Sequence, residues 1–469
     1  MYDLIVIGSG ISSMCFLESL EVKNKKIAMI SYTNNELIDN KFVDNKEFLN
    51  QNLPPRFSKS NLKDLNSLKN FFFKNNIKFN KNSSIFGILN HGGVSDYWGS
   101  SCHFPSEENL NFLNDENKKS LIDSFSFLYE KYNFTGFHNS KLNFKKKYNY
   151  QNNNKLFKII QNCSNTQIDF YENCIAFDNL SNLSFTPKNN GKNIFNKVEN
   201  LNYFVKKISK EKENYKIYCE GFDDNKETIL ISKKIVLAAG TLASTKLVSE
   251  MLGTEYKFNL NHNPMLFGVF LFKKSIKENN FFPSKIAAEI YSDKLGISAI
   301  ANLRGSNDAI KEKIFQNYFF MKNFLSQFFY KTIDSKFLFI NLYLDSKYSC
   351  LNFQKESNNF YNISVKLDKL KIINRELEYY FNKLYKVLRK ENMIFPFKYF
   401  QIPKMGTDNH YTGTMPINNS SEKLSLNENC ELKYHSGLYV VDGSAIPKNN
   451  SKFPTCLIMA NAHRVGKLI

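Results

Sequence analysis

Residues 2–13 read YDLIVIGSGISS, and this stretch decides the fold. YDLIVIG (2–8) is a short, β-branched apolar run that stops at glycine, the pattern of a strand buried on both faces of a parallel sheet. ISSMCFLESLE follows with apolar residues at helical spacing, and KKIAMIS (25–31) reads as the next strand, so the chain opens with one βαβ unit. Between them Gly8, Gly10 and Ser13 fall on a G-x-G-x-x-S pattern. The first glycine allows a tight turn, the second lets backbone amides approach a pyrophosphate, and Ser13 stays small enough for close helix–strand packing. Gly8, Gly10, Ser12 and Ser13 are therefore candidate contacts for a dinucleotide at the helix N-terminus. The second strand ends on Ser31 instead of the acid that would hold ribose hydroxyls. A serine can still hydrogen-bond a ribose hydroxyl, so adenosine binding is expected to be weaker or differently built.

Outward from this unit, the chain from Asn34 to about Asn82 is polar and reads as loop with short helices. NHGGVSDYWGSS (90–101) is a second glycine turn, 107–132 is helical, 139–160 is exposed, and 180–193 is loop. Residues 202–240 alternate apolar and polar side chains, which predicts a three-stranded meander feeding a buried strand, KKIVLAAG, and then a helix, TLASTKLVSEML. From 261 to 367 the segments MLFGVFLFKK, KIAAEIYSD, GISAIANL, FLFINLYLD and NISVKLD predict one antiparallel sheet, interrupted by an aromatic stretch at 308–330 that reads as helical. Residues 370–393 are an amphipathic helix, and 401–469 returns to turns, a strand (GLYVVDGS) and a final helix. The fold class is α/β: a Rossmann-like dinucleotide-binding domain over 1–260, an antiparallel-sheet domain with a helix over 261–400 that forms the substrate wall, and a return to the first domain over 401–469.

Composition narrows the function. The 469 residues suffice for two or three domain-sized units, and a hydrophobic content of 42% is ordinary for a globular protein. No apolar run reaches the ~18 residues needed to span a bilayer, and the N-terminus enters a strand at once, so no signal peptide is expected. The eight cysteines form no C-x-x-C pair, which argues against a metal site and fits a reducing cytoplasm. The net charge of +19 comes from lysines spread along the chain without a basic stripe. That distribution argues against nucleic acid and leaves room for weak contact with an anionic membrane surface or a phosphorylated substrate.

Three further segments complete a pattern. Gly92-Gly93-Val94-Ser95-Asp96-Tyr97-Trp98-Gly99 is a glycine loop, 235–247 reads IVLAAGTLASTKL, and the last segment runs from His410-Tyr411-Thr412-Gly413-Thr414 through VVDGSAIP (440–447) to the final helix. With the opening fingerprint, these four segments span the chain and resemble the glucose-methanol-choline (GMC) oxidoreductases, an FAD-dependent family. The resemblance implies non-covalent FAD: where members that attach FAD carry a histidine just before the tryptophan, this chain has Tyr97, and His91 is a poor substitute. It implies flavin contacts from Gly92, Gly93, Ser95, Trp98 and Gly99, and further FAD contacts from Ala239, Gly240, Asp442, Gly443, Pro454 and Thr455. Glycines suit the loop because a bulky side chain would collide with an isoalloxazine ring.

In such a protein a base removes the hydroxyl proton while hydride passes to flavin N5. The H-x-x-G-T motif puts His410 in that place, and an imidazole titrates near neutral pH. The family's second polar catalytic residue, an Asn or His before a proline, is Phe453 here. Asn449, Asn450 or Lys452 then becomes the replacement to look for, and a flavoprotein without net alcohol oxidation (an isomerase, a reductase or a scaffold) becomes the competing reading. His463 reads as a packing residue and His435 as a solvated one. The expectation is a cytoplasmic oxidoreductase acting on a sugar or related polyol, a small-molecule substrate, with the electron acceptor unassigned.

Overall fold

The computed structural model describes residues 1–32, 62–103, 110–135, 155–178, 181, 183–221, 226–253, 257–276, 286–292, 296–306, 334–356, 359–418, 424–448 and 452–469. The aromatic stretch at 308–330, most of the expected loop before Asn82, residues 139–154, and Asn449 and Asn450 lie outside the described residues.

The opening strand Tyr2–Ile7 sits in the middle of a parallel sheet, with Leu4, Ile5, Val6 and Ile7 all buried. Ile27–Ser31 pairs on one side and residues 235–237 pair on the other, all in parallel register. Residues 199–202 extend the sheet beyond Ile27–Ser31, and Leu438–Val440 extends it beyond 235–237. Two of these strands are long. Glu199–Glu211 and Glu227–Leu237 leave the parallel sheet and join Asn214–Gly221 in the meander read from the sequence. Four strand C-termini (Gly8, Ser31, Ala238 and Val441) thus meet at one end of the sheet, where ligands of open α/β sheets bind.

Helix Ile11–Ser19 and the last helix, Thr455–Gly466, pack against each other beside this sheet; Ser19 Oγ donates to the His463 carbonyl at 2.6 Å. A Cβ on Gly466 would overlap the Phe16 carbonyl, so the contact requires glycine. Helix Asp115–Lys131 lies against the last helix, and its N-terminus is capped by Asn114, which accepts from Asn117 N at 2.9 Å.

A second sheet has six antiparallel strands in the order Ile394–Gln401, Met265–Phe272, Phe337–Leu344, Gly296–Gly305, Ile286–Ser292 and Ile168–Glu172. Its edge strand Ile168–Glu172 comes from upstream of residue 261. One face packs on the amphipathic helix Leu367–Lys390, whose Ile373, Leu377, Phe381, Leu384 and Leu388 are buried. The Phe381 ring lies over Gly268, where a Cβ would collide with it, and full burial of such a ring contributes roughly 1.5–3 kcal/mol. The expected strand NISVKLD is a strand (Tyr361–Val365), but it belongs to a separate four-stranded sheet with Leu351–Lys355, Lys257–Leu260 and Ile77–Phe79. Strand alternation predicts the extended backbone; the partner depends on contacts nearly 300 residues away in sequence. The loop expected at 180–193 contains two single-turn helices, Pro187–Asn190 and Lys192–Phe195, and 155–160 is helical with Leu156 and Ile160 buried instead of exposed.

Candidate functional site

A cavity of about 1080 Å³ opens at the meeting end of the parallel strands and runs under the antiparallel sheet. It exceeds the ~300–1,000 Å³ typical of one drug-sized ligand, so it has room for a dinucleotide and a substrate together. Gly8, Gly10, Ser12, Ser31, Gly92, Gly93, Ser95, Trp98, Gly99, Ala239, Gly240, His410, Asp442, Gly443, Phe453 and Thr455 all line it. Ser13 and Pro454 do not. Ser13 is buried and its Oγ donates to the Gly8 carbonyl at 2.7 Å, so it braces the first turn from behind. Pro454 is the residue that starts the last helix and is buried beneath it.

Three helices begin at this cavity, at Gly10, Gly240 and Pro454, and none has a side-chain cap. Uncapped N-termini carry donor N–H groups and partial positive charge, which suits an anionic ligand. Gly8 has φ +110°, and a Cβ there would overlap the Ala238 carbonyl of the neighbouring strand. The Gly-Gly loop is stitched to this turn in both directions: Ser9 Oγ accepts from Gly92 N at 3.2 Å, and Ser95 Oγ accepts from Ile11 N at 2.9 Å. Ser95 therefore holds two loops together with the hydroxyl that sequence reading assigned to a ligand. Trp98 likewise donates its indole N–H to the Phe185 carbonyl at 3.1 Å. His91 is exposed, packs on Phe195 at 5.2 Å between ring centroids, and is not among the lining residues. Past Ser31, Tyr32 lines the cavity with its ring edge-on to Phe204 at 5.8 Å; this aromatic pair was not singled out from the sequence.

Asp442 is a clamp. One carboxylate oxygen accepts from Gly240 N at 2.9 Å and Ser244 Oγ at 2.5 Å, and the other accepts from the backbone and hydroxyl of Ser444. Burial pushes the Asp442 carboxyl up, and these donors work against that. The clamp ties the turn before helix Thr241–Leu252 to the turn after Leu438–Val440.

The segment around His410 is fixed on three sides. Asn261 and Thr412 exchange backbone hydrogen bonds at 3.0 Å, Gly413 N donates to the Gly443 carbonyl at 3.2 Å, and Thr241 Oγ1 donates to the Tyr411 carbonyl at 2.7 Å. Gly413 has φ +81° and lies against Asn261 with no space for a Cβ. These bonds carry His410 from the far end of the chain to the first turn's cavity.

Beneath His410 lies a buried pair that sequence reading missed. Asp408 accepts from His262 Nδ1 at 3.0 Å, from Asn263 N at 2.9 Å and from the His410 backbone N at 3.2 Å. Burial pushes the His262 imidazole down, but the Asp408 charge and hydrogen bond more than reverse this and raise it to about 9. For Asp408, burial pushes up, but the His262 charge and hydrogen bond, the nearby His410 and the Asn263 N–H together outweigh it, so the carboxyl is lowered. A raised histidine stabilises the fold fully below its unfolded value of about 6.5, and that contribution is lost as pH rises through about 9. The depressed Asp408 contributes above about 3.9 and loses its contribution as pH falls through its lowered value. His262→Gln should therefore lower stability by about 3 kcal/mol near pH 6, with the gap in melting temperature to the parent closing above about pH 9. A gap independent of pH would contradict the charged pair.

The His410 ring faces Phe453 at 4.5 Å and Tyr343 at 5.5 Å between centroids. On its other side Phe453 meets the buried His103 at 4.8 Å; burial lowers the His103 imidazole to about 3, which keeps it neutral. Lys452 does not replace the missing polar residue, because its Nζ pairs with Glu289 at 3.1 Å. Asn302, Ser101 and Asn341 are among the polar side chains that line the cavity, and none was singled out from the sequence. His463 is buried and packs on Phe127, with its imidazole lowered to about 4 by burial. His435 is half-buried in its turn instead of solvated. All eight cysteines are buried and unpaired. No described helix is long and apolar enough to cross a membrane.

Residues 386–462, a span that contains His410, Asp442 and Phe453, match the family model described as GMC oxidoreductase. No curated protein matches the chain.

Proposed function

We propose that this chain is a GMC oxidoreductase, a reading supported by the family-model match over residues 386–462, and that it binds FAD without a covalent link and oxidises a CH–OH group of a sugar or related polyol, with His410 as base. The observation that carries the reading is that His410 and the Gly8–Gly10 turn, 400 residues apart in sequence, line one cavity.

The residues present suit FAD. The uncapped helix start at Gly10 would hold the pyrophosphate, and Ser31, Tyr32 and Phe204 would receive the adenosine end. The Gly92–Gly93 turn, where a Cβ on Gly93 would meet open space, would lie beside the isoalloxazine. When bound, FAD supplies the hydride acceptor. The chain's own part is to orient the substrate carbon and to manage the proton. His410 accepts the hydroxyl proton; Asp408 fixes its backbone, and Phe453 and Tyr343 hold its ring and exclude water. His91 lies off the cavity, which favours non-covalent binding.

Phe453 favours a second reading, a flavoprotein without net alcohol oxidation, because no hydrogen-bond donor stands across from His410 at that position. One preparation separates the readings. Visible absorption is recorded before and after acid denaturation, followed by anaerobic mixing with sugars and polyols. Flavin released to the supernatant and bleached by a hydroxyl substrate is the expected result. Colour retained by the precipitate would overturn the non-covalent link, and a released flavin that no hydroxyl compound bleaches would favour the second reading.

A further inference from the structure

The antiparallel sheet has two unlike faces. On the face toward the long helix, strand Gly296–Gly305 presents Ala299, Ala301 and Leu303, all fully buried. On the other face the same strand presents Asn302 and Arg304, and both line the cavity. Asn302 belongs to a cross-strand row: it pairs with Ala287, and Ala287 pairs with Tyr171. With strands ~4.8 Å apart, Tyr171 and Asn302 stand roughly 10 Å from each other, and only the small Ala287 side chain lies between them.

The buried His103 imidazole bridges this gap. Its Nδ1 lies 3.2 Å from the Tyr171 hydroxyl, and the Asn302 side chain is its second polar neighbour. The Glu289 carboxylate is taken by Tyr291 at 3.0 Å and Lys452 at 3.1 Å, so the Tyr171 hydroxyl donates to His103 Nδ1. Burial keeps the ring neutral, which leaves its one proton on Nε2, toward the Asn302 carbonyl oxygen. Asn302 in turn donates its Nδ2 to Ser101 Oγ at 3.4 Å, and Asn173 donates its Nδ2 to the same oxygen.

Counting at Ser101 gives the result. A serine hydroxyl has two lone pairs and one hydrogen. Asn173 and Asn302 occupy both lone pairs, and no group among the described residues takes the hydrogen. Ser101 is buried yet lines the cavity, so the acceptor for that hydrogen has to come from a ligand. Its place relative to His410 follows from the packing. The His103 ring meets Phe453 at 4.8 Å, and Phe453 meets His410 at 4.5 Å on its other side. Along the sheet, Asn302 lies two residues, about 7 Å, from Ile300, which pairs with Tyr343 beside His410. Ser101 and His410 thus stand on opposite sides of Phe453, spaced to meet two different oxygens of one molecule.

We propose that Ser101 is a specificity-determining residue whose hydroxyl donates to a second hydroxyl oxygen of the substrate, apart from the one oxidised at His410, and that Tyr171, His103 and Asn302 aim it. The pair of contacts selects a sugar or polyol over a mono-alcohol, which has no second oxygen to offer. This rests on the reading of His410 as the base of a hydroxyl oxidation. Ser101 acts on binding and takes no part in the proton transfer.

The test uses the flavin-loaded protein with glucose, galactose, mannose and xylose as probes. Anaerobic bleaching gives KM and kcat, and titration of the flavin absorbance gives Kd. For the sugar that the parent binds most tightly, Ser101→Ala should raise KM and Kd about ten- to a hundredfold while kcat changes by less than about threefold. Ser101→Thr keeps the hydroxyl and should recover most of the loss. Single deoxy analogues of that sugar locate the contact: at one position, removing the hydroxyl should weaken the parent by the same factor, and Ser101→Ala should then add less than about twofold. If Ser101→Ala does not fold, Ser101→Cys, similar in size and a weak donor, takes its place with the same expected loss. Parent-like KM and Kd in the variant, or a loss that every deoxy analogue shares, would overturn the proposal and leave the hydroxyl oxidation standing. A Ser101→Ala protein that loses its flavin while Ser101→Thr keeps it would place the hydroxyl on the cofactor and overturn the proposal as well. If no sugar bleaches the flavin, the oxidation reading fails; a Kd that depends on Ser101 would then still support the donor, and sugars that bind without that dependence, or do not bind, would overturn it.

Discussion

With His410 replaced by asparagine, flavin reduction by a hydroxyl substrate is expected to slow by about 10²- to 10⁴-fold. The ring lies in the cavity between Phe453 and Tyr343. Its backbone is held by Asp408, whose other partners, His262 and Asn263, do not depend on the His410 side chain. The variant should therefore keep its flavin and melt within a few degrees of the parent. The pH profile supplies a second signature. A neutral imidazole is required to take the proton, so the parent's rate should fall as pH drops and the ring becomes protonated, and the variant should lack that limb. Stopped-flow bleaching across pH measures both. A variant rate within about threefold of the parent's would remove His410 from the proton transfer and shift attention to a flavoprotein of another kind.

Gly8→Ala is expected to leave a colourless, destabilised protein. The residue has φ +110°, a conformation that costs a side chain of order 1–3 kcal/mol, and its Cβ would overlap the Ala238 carbonyl. Ala238 cannot give way, because its N–H donates to the Ile7 carbonyl at 2.9 Å and so fixes two adjacent parallel strands. Together these effects should exceed about 3 kcal/mol and displace the turn that faces the helix start. Gly93→Ala is the control. It also has positive φ, +56°, but a Cβ there meets nothing within 4 Å, so its cost should stay near 1–2 kcal/mol. Urea melts and the visible absorbance of the purified variants measure the contrast. A coloured Gly8→Ala protein as stable as the parent would mean that the turn is not the close approach described here.

Much of the architecture was legible locally. The buried run before Gly8, the meander over 202–240 and the amphipathic helix near 370–393 each follow from side-chain period, and the observed elements Tyr2–Ile7, Glu199–Glu211 and Leu367–Lys390 lie where that period put them. Several candidate ligand contacts also brace the chain itself: Ser95 and Ser13 hydrogen-bond neighbouring turns, and the Asp442 carboxylate clamps two loops. A motif marks where loops meet, and it does not say whether a hydroxyl faces the ligand or the next loop. The alternation in GISAIANLRG did carry a signal for Asn302 and Arg304, because two polar residues at i and i+2 share a face.

What the sequence by itself determined were properties set within a few residues: strands and helices by the period of their apolar side chains, tight turns by glycine, and the departure at Phe453 by its place before Pro454. What only the tertiary structure decided were the partners. His262 and Asp408 are 146 residues apart, Asp442 and Ser244 are 198 apart, and the strand Tyr361–Val365 joins Ile77–Phe79 rather than the sheet that precedes it in the chain. Such contacts form because burying each polar group or strand edge requires a complementary group wherever the folded chain can supply one, and no local pattern in the sequence encodes which distant residue that will be.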